Sequence, residues 1–208
     1  MPRDTPIKTR TVGDLTVNIF YDTDPINPRE DYSQLCEILY ISSRYTLGDK
    51  QVSSSEITDR LADPLYFSLR VNAYIHSGVT VSLSSGGQYS DPWDGGCCGI
   101  ISVKKSDACK EFSHKRWNQH TARLTAERMA SEIKEFDYYL QGECYGFTIT
   151  APDDEELDSC WGFLGDMQYC IDEAMNNAAF FHTKRTSTAL EQSIQLTVGP
   201  SLIANGAD

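Results

Sequence analysis

A long amphipathic repeat over residues 118–141 constrains the fold of this chain more than any other feature of its sequence. Its apolar residues recur at spacings of three, four or seven, which places them along one side of an α-helix. They are Ala122, Met129, Ile133, Phe136 and Leu140. Gly142 follows the repeat and suits the left-handed residue that ends many helices. We therefore predict a helix over about residues 118–141 whose apolar side packs against another layer.

The same repeat contains Arg128 and Glu132, which lie one helical turn apart. This spacing predicts a surface ion pair, and such a pair contributes only about 0.3 kcal/mol.

A second amphipathic repeat follows Asp166 and predicts a helix over about residues 166–182. Asp166 suits the N-cap position, where its carboxylate accepts hydrogen bonds from the first free amides. The apolar side of this helix is built from Met167, Ile171, Ala174, Ala178 and Phe181. Beyond it we predict a closing strand over residues 193–198.

Most of the remaining chain has the alternating or apolar pattern of β-strands. The predicted strands are residues 15–21, 66–74, 79–84, 98–103, 144–150 and 157–163. Residues 35–41 are compatible with either a strand or a buried helix. Ser53 and Glu56 have the spacing of a capping box, which predicts a short helix to about Ala62. Ser106 or Asp107 suits the cap of another short helix, ending near Phe112.

These elements predict one α+β domain, with a mostly antiparallel sheet packed against the two main helices. The chain of 208 residues shows neither an internal repeat nor a low-complexity linker, so we assign residues 1–208 to that domain. We expect residues 1–13 and 201–208 to be flexible.

The net charge is strongly negative, with 18 Lys and Arg against 30 Asp and Glu, giving −12. This balance argues against direct nucleic-acid binding, which requires a basic surface. No stretch reaches the roughly 18 apolar residues of a membrane span, and the N-terminus lacks the apolar region of a secretory signal. We therefore expect a cytoplasmic protein that does not bind membranes.

Seven cysteines are present, and none forms a Cys-x-x-Cys pair. An odd number without a secretory signal is typical of free thiols in a reducing compartment. Their spacing offers no zinc site, so we interpret them as small residues that fill the core.

The charges are distributed unevenly along the chain. Residues 151–173 contain eight acids and no Lys or Arg, whereas residues 104–134 contain eight bases against four acids. Two interpretations stay open: two solvated faces that attract each other, or an acidic surface that docks a basic partner. A loop over residues 86–96 contains two aromatic residues that suit either a recognition tip or a cap on the core. The candidate partner-binding residues are Asp153, Asp154, Glu155, Glu156, Asp158, Tyr89 and Trp93.

The usual signatures of enzymes are missing from the sequence. It contains neither a Gly-x-Ser-x-Gly motif nor a phosphate-binding glycine loop, and residues 153–158 lack the glycine and the spacing of a calcium loop. We therefore assign no catalytic residue, no metal ligand and no cofactor, and favour a protein that is not an enzyme.

Two alternatives remain. One is an enzyme with a site assembled from distant residues, around Cys160, His76 and Asp158. The other is a small-molecule or nucleotide-binding protein, with Arg44, Arg70 and Tyr74 as candidates and added charge from residues 104–134.

Four short blocks together resemble an uncharacterised family of proteins encoded by bacteriophages and other mobile elements. They are NPRED at 27–31, RYTLGD at 44–49, YLQGECYGF at 139–147 and DSCWGFLGD at 158–166. The chain departs from the family at Ser42 and Ser43, near which the family typically has a His.

The resemblance implies a phage accessory protein in the cytoplasm of a bacterial host, and it implies no catalytic residue. Small acidic phage proteins often inhibit host defence nucleases, an argument by analogy. The leading hypothesis is therefore an inhibitor that binds a host protein, or a protein–nucleic-acid complex of a CRISPR-like defence system, through its acidic surface. A homodimer is compatible with the sequence.

Overall fold

A computed structural model of the chain describes residues 5–31, 34–76, 78–84 and 95–197. Antiparallel strands and helices dominate it, which confirms the predicted α+β class. The strands are β1 (Lys8–Val12), β2 (Leu15–Tyr21), β3 (Glu37–Tyr40), β4 (Lys50–Gln51), β5 (Tyr66–Ile75), β6 (Val79–Leu83), β7 (Gly95–Lys104), β8 (Cys144–Thr150) and β9 (Glu156–Leu164). The helices are α1 (Pro28–Asp31), α2 (Ser54–Ala62), α3 (Lys105–Glu111), α4 (Gln119–Gln141) and α5 (Met167–Thr197).

The chain is organised into two compact units, each with its own sheet and core. Unit 1 combines residues 1–22 with residues 145–208, and unit 2 comprises residues 23–144. The strands divide in this way because β8 pairs with β2, whereas β7 pairs with β3 and β5. The assignment of residues 1–208 to one domain stays a prediction.

In unit 1, helix α5 packs on one face of a four-stranded sheet with the order β1-β2-β8-β9. The alternation of β2 directs Leu15, Val17 and Ile19 to that face, and all three are fully buried. The apolar stripe of α5, including Ala174 and Ala178, completes this core. The predicted stripe of this helix is therefore confirmed.

In unit 2, α4 covers one face of a five-stranded sheet with the order β4-β3-β7-β5-β6. Met129, Ile133 and Phe136 of α4 are buried against that face, as their spacing predicted. A smaller cluster on α2 contains Ile57 and packs with Leu39 and Ile100 of the sheet. The sheet of unit 2 thus has apolar contacts with helices on both faces.

The helix boundaries follow from local capping chemistry. The N-cap residue Ser53 forms the predicted capping box with Glu56. The N-cap residue Asn118 of α4 accepts a hydrogen bond from the amide of Thr121, and Gly142 ends the helix in the left-handed conformation with φ 70°. Asp166 accepts a hydrogen bond from the amide of Gln168 at the start of α5, at 2.8 Å.

Several element predictions were wrong. Residues 193–197 continue α5 instead of forming a strand, because no Gly or Pro interrupts the chain after Met167 until Gly199. Residues 8–12 are not part of a flexible lead-in: they form β1, because a turn at Gly13 and Asp14 pairs them with β2. Helix α3 begins at Lys105, and its N-cap residue Lys104 makes no side-chain cap.

The structure decides one open prediction, and another falls on residues that it does not describe. The undecided segment at 35–41 contains a strand, β3, which pairs with β7. Residues 86–94 of the predicted recognition loop lie outside the described residues, and so do Tyr89 and Trp93.

Candidate functional site

The acidic residues at 153–155 lie in the turn that joins β8 to β9, and Glu156 is the first residue of β9. The turn is closed by two backbone hydrogen bonds: the amide of Ala151 donates to the carbonyl of Glu155 at 2.9 Å, and the amide of Asp154 donates to the carbonyl of Ala151 at 3.0 Å. Asp153, Asp154, Glu155 and Glu156 are all exposed. We call these four residues the acidic turn.

None of the four carboxylates forms an ion pair with a Lys or Arg in the part of the chain that the structure describes. The hairpin of β8 and β9 therefore presents four adjacent carboxylates that have no ion-pair partner among the described residues. Such an array attracts basic surfaces over a distance of about one Debye length.

Asp158, the fifth predicted acid, lies in β9 and is half-buried. Its carboxylate accepts a hydrogen bond from Nδ2 of Asn177 in α5, at 3.1 Å. This contact ties the edge strand to the helix, so Asp158 contributes to the packing of unit 1.

Strand β9 lies at the edge of its sheet and presents an aromatic side chain, Trp161, which is 48% exposed. Its ring centroid lies 5.9 Å from that of Phe20 on β2. A side chain at residue 146 would overlap the indole, so Gly146 provides the space that Trp161 occupies. A half-exposed tryptophan held in this way has the character of an interface anchor.

A cleft of about 650 Å³ lies between the acidic turn and the later part of α5. Its walls have opposite charge: Asp14 and Glu155 contribute carboxylates, whereas Lys184 and Arg185 of α5 contribute cations. Phe181 is among its apolar lining residues. The volume falls within the range of small-molecule sites, roughly 300–1,000 Å³.

His182 also lines this cleft and contacts the turn between β1 and β2. Its Nδ1 lies 3.3 Å from Oδ1 of Asp14, in the turn between β1 and β2. A side chain at residue 13 would overlap the imidazole ring, and Gly13 has φ 59°. Glycine is therefore required at residue 13 both for the turn and for the close approach of His182.

Unit 2 contains a buried ion network that the sequence analysis did not predict. Both Nε and Nη2 of Arg29 donate to the carboxylate of Asp49, at 2.8 and 2.6 Å, and Nη1 donates to Glu132 at 2.9 Å. Glu132 also accepts from Nε of Arg128 at 3.0 Å. The side chains of Arg29 and Glu132 are only 3% and 1% exposed.

The remaining lone pairs of this network accept hydrogen bonds from the backbone. Glu132 accepts from the amides of Leu35 and Cys36, and Asp49 accepts from the amide of Ile38 at 2.7 Å. Burial lowers the pKa of Arg29, but the hydrogen bonds that it donates to Asp49 and Glu132, with the charges of these carboxylates, outweigh burial and raise that pKa above its usual value. These bonds fix the chain between α1 and β4, so the network has a structural role in unit 2.

The four blocks that carry the family resemblance meet in pairs. The first two contribute Arg29 and Asp49 to the buried network. The last two contribute Gly146 and Trp161 to the aromatic contact on unit 1. These residues therefore stabilise the fold. In the sequence, the one indication of the buried network is the position of Glu132 among the apolar residues of α4.

The residues of the enzyme alternative are divided between the two units, and each is described by its own contacts. Cys160 is exposed and Asp158 is bonded to Asn177, whereas His76 belongs to unit 2 and stacks on Tyr74 with centroids 6.2 Å apart. Burial raises the pKa of Cys36 and of Cys98 to about 12, which keeps these thiols protonated and unreactive.

The residues of the nucleotide alternative contact their own neighbours. The guanidinium of Arg44 lies over the ring of Tyr45 at 5.2 Å, and Nη1 of Arg70 lies 3.8 Å from Sγ of Cys97. Part of the basic segment is neutralised locally, by the pairs Lys110–Asp107, Arg123–Glu127 and Arg128–Glu132.

The described residues lack two features that would point to other functions. They contain no group of three or more His, Cys, Asp or Glu side chains arranged to hold a metal ion. No helix among them is long and apolar enough to cross a membrane.

Comparison of the chain with known families finds no matching family model, and comparisons with curated proteins and with solved structures find no similar protein.

Proposed function

We propose that this chain is a non-enzymatic binding protein that docks a basic surface of a partner protein through its acidic turn. The observation that carries the proposal is the exposure of four adjacent carboxylates that have no ion-pair partner among the described residues. Uncompensated charge of this kind speeds encounter with a basic partner and rejects acidic competitors.

The fold supports this role by holding the turn in place. The acidic turn joins two strands of a sheet that α5 covers, so few conformations are lost when a partner binds. Trp161, five residues after Glu156 on the strand that follows the turn, supplies an exposed aromatic anchor on the same unit.

The partner that fits this surface is a protein with a groove for nucleic acid. Such grooves are lined with Lys and Arg, and a row of carboxylates can occupy the positions of phosphates. Combined with the phage resemblance, this chemistry supports the role of an inhibitor of a nucleic-acid-handling host defence system.

The test is a charge reversal with a matched control. Asp154 has φ 63°, a conformation that Asp, Asn and Gly adopt more readily than Lys, so the variant leaves it unchanged. We therefore compare Asp153→Lys/Glu156→Lys with Asp59→Lys/Glu111→Lys, which reverses two exposed acids of unit 2.

Affinity capture from a bacterial lysate, followed by mass spectrometry, should recover a basic partner with the unmodified chain and with the unit 2 control. The acidic-turn variant should lose this partner and any protection that the chain gives a phage against host defence. Equal capture and equal protection by all three proteins would refute the proposal.

The cleft of unit 1 favours a second candidate function, the binding of a small molecule that carries an anionic group. Lys184 and Arg185 supply the charge for the anion, and Phe181 supplies an apolar contact. Native mass spectrometry of the purified chain should then detect a bound small molecule, and Arg185→Ala should release it. A spectrum with the mass of the bare chain would count against this second function.

A further inference from the structure

The later part of α5 extends beyond the core of its unit. Ala178 is the last fully buried residue of the helix, and Phe181 and His182 are half-buried. From Thr183 to Ile194 every side chain is exposed. Most of a helix's stability in a protein comes from burial of an apolar side, so a partner that covers the exposed side chains of this segment would stabilise it.

An apolar stripe runs along this exposed part of the helix. Its residues lie at spacings of three, four, three and four, the heptad pattern of helices that pack side by side. They are Phe180, Thr183, Ser187, Leu190 and Ile194, and we call them the α5 stripe. The three large members are Phe180, Leu190 and Ile194, which are 64%, 63% and 53% exposed.

The α5 stripe lies on the side of the helix that faces away from the core. Phe181 belongs to the core-facing side, and Leu190 follows it after about two and a half helical turns, which places it on the opposite side. None of the five residues of the stripe lines the cleft, and the flanking residue Lys184 lies between the two, at the border of the cleft.

The polar members of the stripe tolerate burial. The hydroxyl of Thr183 donates to the carbonyl of Ala179 at 2.9 Å, so it needs no further partner when water leaves. Ser187 is small and lies at the middle of the stripe, which lets a second helix approach closely.

Charged residues beside the stripe specify the partner. Lys184 and Glu191 lie one heptad apart on the same flank, and both are exposed. A second copy in antiparallel orientation places Lys184 opposite the partner's Glu191 and Glu191 opposite the partner's Lys184. A parallel copy brings identical residues to the same height and forms neither pair.

We propose that two copies of this chain bind through their α5 stripes as an antiparallel helix pair. Burial of Phe180, Leu190 and Ile194 from both copies supplies the apolar contact, and the two symmetric pairs of Lys184 with Glu191 fix the orientation. The site is independent of the acidic turn, so the homodimer and the docking of a basic partner stand or fall separately.

The first test measures the dissociation constant of the full chain by analytical ultracentrifugation. The unmodified chain should dimerise, and Leu190→Asp should raise the dissociation constant at least about tenfold, which corresponds to 1.4 kcal/mol. The control is Leu65→Asp, because Leu65 is an exposed leucine of unit 2, 70% accessible. It should leave the dissociation constant unchanged.

The second test exchanges the charges of Lys184 and Glu191. These changes would not alter the dissociation constant of a dimer held by apolar contacts alone. Lys184→Glu and Glu191→Lys should each weaken the dimer about threefold to tenfold, and the double variant should restore it. Arg185→Glu makes the same change of charge on the cleft side and should have no effect. A chain that stays monomeric up to millimolar concentration, a dimer indifferent to Leu190→Asp, or a double variant without recovery would overturn the proposal.

Discussion

Two regions of this molecule concentrate carboxylates, and they use them in opposite ways. The acidic turn of unit 1 presents four exposed carboxylates without an ion-pair partner among the described residues. In unit 2 the carboxylates of Asp49 and Glu132 surround Arg29, and backbone amides occupy their remaining lone pairs. A buried carboxylate that accepts hydrogen bonds from the protein stabilises the fold. An exposed carboxylate without an ion-pair partner is available to bind a partner protein.

The largest expected effect comes from removing the centre of the buried network. Glu132→Ala leaves Arg29 with one carboxylate and strips two backbone amides of their acceptor. We expect a loss of about 3–5 kcal/mol in the free energy of unfolding, measured by urea denaturation. Glu127→Ala, on the exposed side of α4, should change it by less than about 0.5 kcal/mol.

A somewhat smaller loss is expected where unit 1 depends on close packing instead of charge. Gly146→Ala places a methyl group against the indole of Trp161, which must then move. Overpacking of this kind costs about 1–3 kcal/mol, measurable by urea denaturation, and should shift the tryptophan emission. Gly96→Ala provides the control, because a Cβ there meets no atom within 4 Å. Equal stability of the two variants would show that the indole moves without cost.

The stability of an Arg128 variant distinguishes the effect of burial from that of distance within the buried network. Its Nε lies 3.0 Å from Glu132, close to the 2.9 Å of Arg29, but its side chain is 41% exposed against 3% for Arg29. We expect Arg128→Ala to cost about 1 kcal/mol or less, because solvent screens an exposed charge. A loss as large as that of Glu132→Ala would show that proximity, not burial, sets the cost.

The smallest effect on stability is expected at the acidic turn. Asp153→Lys/Glu156→Lys breaks no described ion pair and should change the free energy of unfolding by less than about 0.5 kcal/mol. The same variant should abolish capture of the basic partner. A large destabilisation would place the turn among the structural carboxylates and remove the contrast between the two regions.

The sequence predicted those features that depend on neighbouring residues. The capping box of Ser53 and Glu56 and the apolar sides of α4 and α5 follow from spacings of three and four, and all are present. The strand predicted at 193–198 was wrong over residues 193–197, where α5 continues. Ile194 and Thr197 are β-branched and favour a strand locally, but no Gly or Pro ends the helix before them.

The buried network could not be predicted in the same way. Arg29 and Glu132 are separated by 103 residues, and only tertiary packing brings them together. The pair of Arg128 with Glu132 was predicted as a surface interaction, and the pair exists, but Glu132 is buried. Its place three residues after Met129 and four before Phe136, on the apolar side of α4, was the one local indication of burial.

The division of unit 1 between the two ends of the chain has a consequence for synthesis on the ribosome. The hairpin of β1 and β2 emerges first, but its neighbour β8 emerges only after residues 23–144. At about 5–20 residues per second this takes several seconds, during which unit 2 can fold as a continuous segment. During that interval the side chains of Leu15, Val17 and Ile19 are not yet packed against β8 and α5. This hairpin is therefore exposed to chaperones and proteases until β8 and the segment that follows it complete the unit.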